Sequence, residues 1–206
     1  KKNKVAYIEG EASISKDLNV KVNNETYQGK DIILATGSKP FVPPIKGLDN
    51  VDYETTDTFF DLKQLPKQLA VIGGGVIATE LASSMADLGV NVTIVEVADD
   101  ILLTEIDDTR ELLKSHLENQ DINIITKAKI KTIDQTKIVL DGQDDVSFDT
   151  LLVATGRQPN TQVAKDLNLE MDGKFFKVDD HYQTSQKHVY AIGDLVPGYQ
   201  LAHTAS

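Results

Sequence analysis

Leu69-Ala70-Val71-Ile72-Gly73-Gly74-Gly75-Val76-Ile77-Ala78 is the stretch that decides how this chain folds. Four apolar residues in a row read as a strand buried on both faces, and three glycines end it. Residues 76–88 then read as a helix with Ile77, Leu81, Ser84, Met85 and Leu88 on one side, stopped by Gly89 at the C′ position. Downstream, the pattern predicts a strand over 90–97, a helix over 107–118 with Leu112, Leu113 and Leu117 apolar, and a strand over 122–125. A strand–helix–strand–helix–strand order of this kind calls for a parallel sheet with crossover helices.

Working outward, the pattern changes. Residues 129–148 hold short alternating segments broken at Asp141-Gly142, a hairpin signal. Residues 151–156 are a further buried strand ending in Ala154-Thr155-Gly156, which echoes Ala35-Thr36-Gly37 at the end of an apolar run over 31–37. Pro40, Pro43, Pro44 and Gly47 mark a boundary. Residues 5–8 and 18–22 read as short strands by alternation. Leu102 to Glu105 and the stretch from Lys127 to Lys137 read as solvated surface. The fold class expected is α/β: a Rossmann-like parallel sheet with an antiparallel meander over residues 43–159. The flanks 1–42 and 160–206 are each too short for a separate core and are expected to join into one second unit.

Bulk properties narrow the function. A net charge of −11 sets the surface against nucleic-acid phosphates and anionic membranes, so neither is expected as a partner. The chain contains no cysteine, which excludes disulfides and thiolate chemistry within it and fits a reducing, cytoplasmic setting. No apolar run reaches the length of a membrane helix. Lys1-Lys2-Asn3-Lys4 is basic, but no signal-like apolar stretch follows and no initiator Met precedes it, so the start is expected to be a cut inside a longer chain. The four histidines, 116, 181, 188 and 203, show no ligand spacing, and no metal site is expected.

The glycines carry the chemistry. Gly73 permits a sharp turn, Gly75 lets backbone approach a diphosphate, and Ala78 is small enough for the helix to pack closely on its strand. The free N–H groups of the helix start would then face the phosphates. Alone, Gly-x-Gly-x-x-Ala is weak evidence, and a glycine turn with no ligand is the alternative. The second strand, however, ends in Glu96, 21 residues after Gly75 (96 − 75), near the spacing of about 20 for an acid that accepts hydrogen bonds from an adenosine ribose. Taken by itself, Glu96 would be a solvated acid at a strand end. Against a 2′-phosphate about 4 Å away it would cost roughly 1–4 kcal/mol. The first basic residue beyond it in sequence is Arg110. NAD is therefore expected rather than NADP, although Ala at the third motif position often accompanies NADP.

At this point the residues resemble a known family. Val71 to Ala82 resembles the nicotinamide-dinucleotide motif of the flavin-dependent pyridine nucleotide–disulfide oxidoreductases. Ala154 to Asn160 resembles the motif that closes their nucleotide domain, and Thr184 to Asp194 their second FAD motif. Leu201 to Ser206, with Glu96, looks most like the dihydrolipoamide dehydrogenases. The resemblance implies roles. Gly73, Gly75, Val76, Ala78, Glu80, Glu96 and Gly156 would line an NAD site; Gly37, Arg157, Asp194 and Ala202 would serve FAD. Glu80 would lie beside the nicotinamide, with a carboxylate among apolar neighbours that needs a partner. Val76 would gate the flavin face, or else be a helix-core valine. Asp194 would accept from a ribityl hydroxyl, or simply make an Asx turn. Arg157 would sit near the flavin side of the domain junction, or form a surface salt bridge. Gly37 and Gly156 would admit cofactor, or be ordinary strand-end turns. A helix start at 202–206 would point at the flavin. No catalytic residue proper is expected here, because the redox cysteine pair, the first FAD motif and the interface domain of a homodimer are not among these residues.

The full enzyme implied would pass hydride between NAD and FAD, linked to a dithiol substrate, and the chain by itself would be inactive. Alternatives are another flavoprotein disulfide reductase (a glutathione or mercuric reductase, or an NADH oxidase), a non-catalytic dinucleotide module, and a ligand-free structural domain.

Overall fold

The computed structural model describes residues 4–201 and 203. The chain forms two compact units, Pro40–Arg157 and the pair of segments Lys1–Lys39 and Gln158–Ser206.

The central unit is built on a five-stranded parallel sheet. Its strands run in the spatial order Glu54–Thr55, Thr150–Val153, Gln68–Ile72, Asn91–Val95, Asn123–Ile125. Side chains alternate along each strand, so both faces need cover. Leu69 and Val71 enter a core with Ala78, Ala82, Met85 and Leu117, contributed by helices α1 (Val76–Asp87) and α2 (Asp107–Asn119). Ala70 and Ile72 enter a second core with Ile133, Ile138, Leu140 and Phe148. That face is covered by the antiparallel strands Ile130–Ile133, Lys137–Leu140 and Val146–Ser147. The α/β class with a parallel sheet and a meander is thus as expected.

Details of the expected faces need correction. The buried stripe of α1 is Ala78, Thr79, Ala82 and Met85; of the expected face, Met85 is buried and Leu81 packs partly buried against the core, while Ile77 and Leu88 do not belong to it. A helix lying close on a sheet presents its small residues inward, so bulk alone misleads. Ile77 and Leu88 are exposed, and Gly89 (φ 85°) follows the helix C-cap Leu88 as expected. On α2 only Leu117 is buried, and Leu112 is exposed. The stretch from Lys127 to Lys137 is not all solvated, since Ala128 and Ile133 are core residues. The meander's first turn is tied by Asp134, whose Oδ1 accepts the N–H groups of Thr136 at 2.9 Å and Lys137 at 3.1 Å.

In the other unit, strands Ile32–Leu34 and Val189–Ala191 pair in parallel. A three-stranded antiparallel sheet comprises Ala12–Ile14, Asn19–Val22 and Glu25–Gln28. Ile14, Leu34, Phe176, Val189 and Leu195 form its core. Residues 5–8 are not a strand; Val5 and Tyr7 are exposed, and alternation without a pairing partner among the described residues does not make one.

Candidate dinucleotide-binding site

The three glycines after the Gln68–Ile72 strand do different work. Gly73 takes φ +111°, a region that disfavours any side chain, and a Cβ there would stand 2.5 Å from the Ala154 carbonyl oxygen. A Cβ on Gly74 would lie 2.7 Å from Ile101 Cγ2 and 3.0 Å from Glu96 Oε2. Gly75 is unlike both. Its φ of −78° and ψ of 179° suit any residue, and a Cβ built on it meets no atom within 4 Å. Protein packing explains the first two glycines and leaves the third without a packing reason. A ligand that approaches the backbone there would supply one.

Gly75 is also the N-cap of α1 and carries no side-chain cap, and the first turn holds no acid. The first intrahelical bond runs from Thr79 N–H to the Gly75 carbonyl at 3.0 Å. The earlier amides of the helix therefore have no intrahelical acceptor. Donors and helix dipole together favour an anion at this end. Ala78 is fully buried against the sheet, where a larger residue would lift the helix away. Thr79, buried beneath it, satisfies its hydroxyl on the Val76 carbonyl at 2.9 Å.

Glu96 follows the Asn91–Val95 strand and its carboxylate reaches the bend. Oε2 accepts the Gly74 N–H at 2.5 Å, and Oε1 accepts the Ala98 N–H at 2.7 Å. A carboxylate offers about four lone-pair sites. Two are filled, which leaves two for the vicinal hydroxyls of a ribose.

Sequence reasoning missed the segment that closes the other side of the bend. Leu102, expected at the solvated surface, is buried with φ 55°, and its N–H donates to the Gly74 carbonyl at 2.7 Å. Asp100 anchors this segment: it accepts Lys114 Nζ at 2.8 Å and lies 3.5 Å from Arg110 Nε. The Lys114 hydrogen bond, with help from the Ile101 amide and Arg110, holds the Asp100 carboxyl below its ordinary value. A depressed carboxyl contributes stability that is present above about pH 4 and lost as pH falls through its folded value. The melting midpoint of Asp100→Asn is accordingly expected to fall less steeply below pH 4 than that of the parent chain; equal slopes would contradict the anchor.

Arg110 is not the only basic residue that reaches this loop. The Lys127 N–H donates to the Ala98 carbonyl at 2.8 Å, and its ammonium lies 3.9 Å from Asp99. The argument against a 2′-phosphate therefore rests on Glu96 itself.

Val76 and Glu80 line an apolar groove of about 760 Å³ with Phe60, Leu102, Leu113 and His116. Glu80 has the apolar neighbours expected of it, but its exposure to solvent removes the need for a partner. It points away from the sheet-facing stripe of α1 and is exposed at the groove. Val76 is likewise exposed rather than a core valine.

The two Ala-Thr-Gly turns share one device. Thr155 Oγ1 donates to the Phe41 carbonyl at 2.7 Å while the Phe41 N–H donates to the Gly156 carbonyl. Thr36 Oγ1 donates to the Asn160 carbonyl at 2.7 Å while the Asn160 N–H donates to the Gly37 carbonyl. Gly37 (φ +64°) and Gly156 (φ +106°) each face open space. Arg157 forms an ion pair with Asp57 at 3.0 Å and reaches Thr56 Oγ1 at 3.0 Å. Asp194 follows the Val189–Ala191 strand in a 3-10 turn, and its Oδ2 accepts the Ser38 hydroxyl at 2.6 Å. Ala202 lies outside the described residues, as does most of the 202–206 stretch. Among the described residues no group of His, Cys, Asp and Glu side chains is arranged to hold a metal.

Comparison with known proteins places this arrangement. The model of the pyridine nucleotide-disulphide oxidoreductase family matches residues 1–206. The chain belongs to that family. A dihydrolipoyl dehydrogenase of Acholeplasma laidlawii is 38% identical over 213 residues, which cover 100% of this chain and 63% of the relative. A mercuric reductase of Staphylococcus aureus is 36% identical over 212 residues, covering 97% of this chain and 38% of that protein. The solved Cu(II) complex of the HOCl-induced flavoprotein disulfide reductase RclA from Escherichia coli superposes with a TM-score of 0.87 at 28% identity, over 96% of this chain and 47% of that one. The chain therefore spans less than two thirds of these relatives. Their names bear out the expected membership among flavoprotein disulfide reductases, whose enzymes work with flavin and nicotinamide cofactors.

Proposed function

We propose that the Pro40–Arg157 unit binds NAD(H) as the nicotinamide-nucleotide part of a flavin-dependent oxidoreductase of the dihydrolipoyl dehydrogenase type. The observation that carries this reading is the convergence of Gly75 and Glu96 on one bend: an open backbone approach with uncapped helix amides, and a carboxylate with two acceptor sites left over. The amides at the start of α1 hold the diphosphate. Glu96 accepts from the adenosine ribose and repels a 2′-phosphate. Val76 and Glu80 flank the nicotinamide end along the α1 groove. When bound, the nicotinamide supplies or takes the hydride, and the chain's share of the work is placement and electrostatics. Gly37 and Asp194 belong to the flavin side of the reading. Asp194 keeps lone pairs beyond the one that Ser38 uses, and these suit a flavin-chain hydroxyl.

A mercuric reductase-like parent is the second reading, favoured by the 36% identical relative. The dinucleotide site reads the same in both. Neither reading gives this chain alone a disulfide reductase activity, because it contains no cysteine.

Nicotinamide fluorescence tests the proposal. Titration of the chain with NADH is expected to saturate, and NADPH to bind about tenfold or more weakly, as the like charge of Glu96 against a 2′-phosphate requires. Equal affinity for the two, or no response to NADH, would overturn it.

A further inference from the structure

We infer that Glu96 positions the phosphate-binding bend before any ligand arrives, so that the acid proposed to choose the nucleotide is also the tie that shapes the loop. The inference deepens the proposed dinucleotide reading, but the tie itself does not depend on it. Gly74 is tied at both its polar groups. Glu96 Oε2 takes its N–H at 2.5 Å, the Leu102 N–H donates to its carbonyl at 2.7 Å, and Ile101 Cγ2 lies 2.7 Å from where a Cβ would stand. Glu96 spans from the Gly74 amide to the Ala98 amide with one oxygen each. Its own backbone is fixed as well: its N–H donates to the Ile125 carbonyl at 2.8 Å, and its carbonyl accepts from Ala128 at 3.0 Å. The side chain is thus a brace between the end of an interior strand, paired on both sides, and a loop whose middle glycine has no side chain to hold it.

The chemistry makes the brace specific to a carboxylate. Both partners are N–H donors, so both ends of the side chain must accept. Glutamine has the same shape but turns one end into an NH₂ donor, which faces an amide N–H and must lose one of the two ties. Aspartate is one methylene shorter and cannot span both amides from the same backbone position. Substitutions at residue 96 meant only to admit a 2′-phosphate therefore also loosen the bend.

The test uses the full chain without ligand, then with two nucleotides. Glu96→Gln is expected to stay folded with a melting midpoint lowered by about 3–6 °C, to raise hydrogen exchange at the Gly74 or Ala98 amide about tenfold, the scale of one lost charge-assisted hydrogen bond, and to move that amide's proton resonance upfield. Glu96→Ala is expected to do so at both amides. Unchanged exchange and shifts at both amides in both variants would overturn the inference. In the second arm the ligands are ADP and 2′,3′-dideoxy-ADP, the latter having no hydroxyl for the acid to hold. If the brace positions the bend, Glu96→Gln weakens the dideoxy compound several-fold too; unchanged dideoxy affinity beside weakened ADP would contradict positioning and leave only direct ribose contact. If the parent chain binds neither NADH nor ADP, the dinucleotide reading fails, while the exchange result still decides the brace.

Discussion

Gly75→Val is expected to weaken NADH binding by at least about 100-fold, equivalent to roughly 2.7 kcal/mol, while the melting midpoint stays within about 3 °C of the parent. The two halves of this expectation come from one observation. Gly75 has extended φ and ψ that valine adopts without strain, and a Cβ there touches no protein atom within 4 Å. The fold does not need a glycine at this position. A diphosphate seated on the amides of α1 does, because the added branch would occupy the surface it must reach. Calorimetric titration alongside circular-dichroism melting checks both halves. Retained binding would show that the open face of Gly75 is not where phosphate sits. Loss of binding together with loss of fold would show that the glycine is structural after all.

Gly73→Ala is expected to give the opposite pattern, a destabilisation of about 3 kcal/mol or more. The residue holds φ +111°, and its Cβ would press into the Ala154 carbonyl at 2.5 Å. Strain of this backbone kind costs about 1–3 kcal/mol, and the contact with backbone adds to it, since neither the Gln68–Ile72 strand nor Thr150–Val153 can shift without disturbing their shared ladder. At roughly 2–4 °C per kcal/mol for a chain of this size, the midpoint falls by about 6–12 °C. Denaturant unfolding checks it, and a change under about 0.5 kcal/mol would contradict the account of the bend. Neighbouring glycines in one motif thus separate into one demanded by the fold and one left for a ligand.

How much of this was legible beforehand follows the range of the forces involved. The strand at 69–72, its glycine turn and the helix after it are set by local rules, and they appear where those rules put them. The spacing to Glu96 is legible for a related reason: one helix plus one strand has a nearly fixed length, so the carboxylate arrives beside the bend. What the pattern hides is tertiary. Nothing local announces that Leu102 folds back in a left-handed conformation onto Gly74, or that Lys127 comes alongside Ala98 from the far end of the next strand. Exposure of Ile77 and Leu112 is hidden too, because an apolar side chain on a helix reports a candidate face and not the face chosen. Val5–Ile8 has strand-forming residues but no partner strand among the described residues, and it does not form a strand.

The account's central claim is that one ligand touches both the helix start and Glu96. A crystal structure of the chain grown with NADH tests it most directly. The diphosphate oxygens should lie about 3 Å from the first amides of α1, and the adenosine 2′- and 3′-hydroxyl oxygens within about 3 Å of the Glu96 carboxylate. A dinucleotide seated elsewhere, or one whose ribose hydroxyls point away from Glu96, would contradict the account.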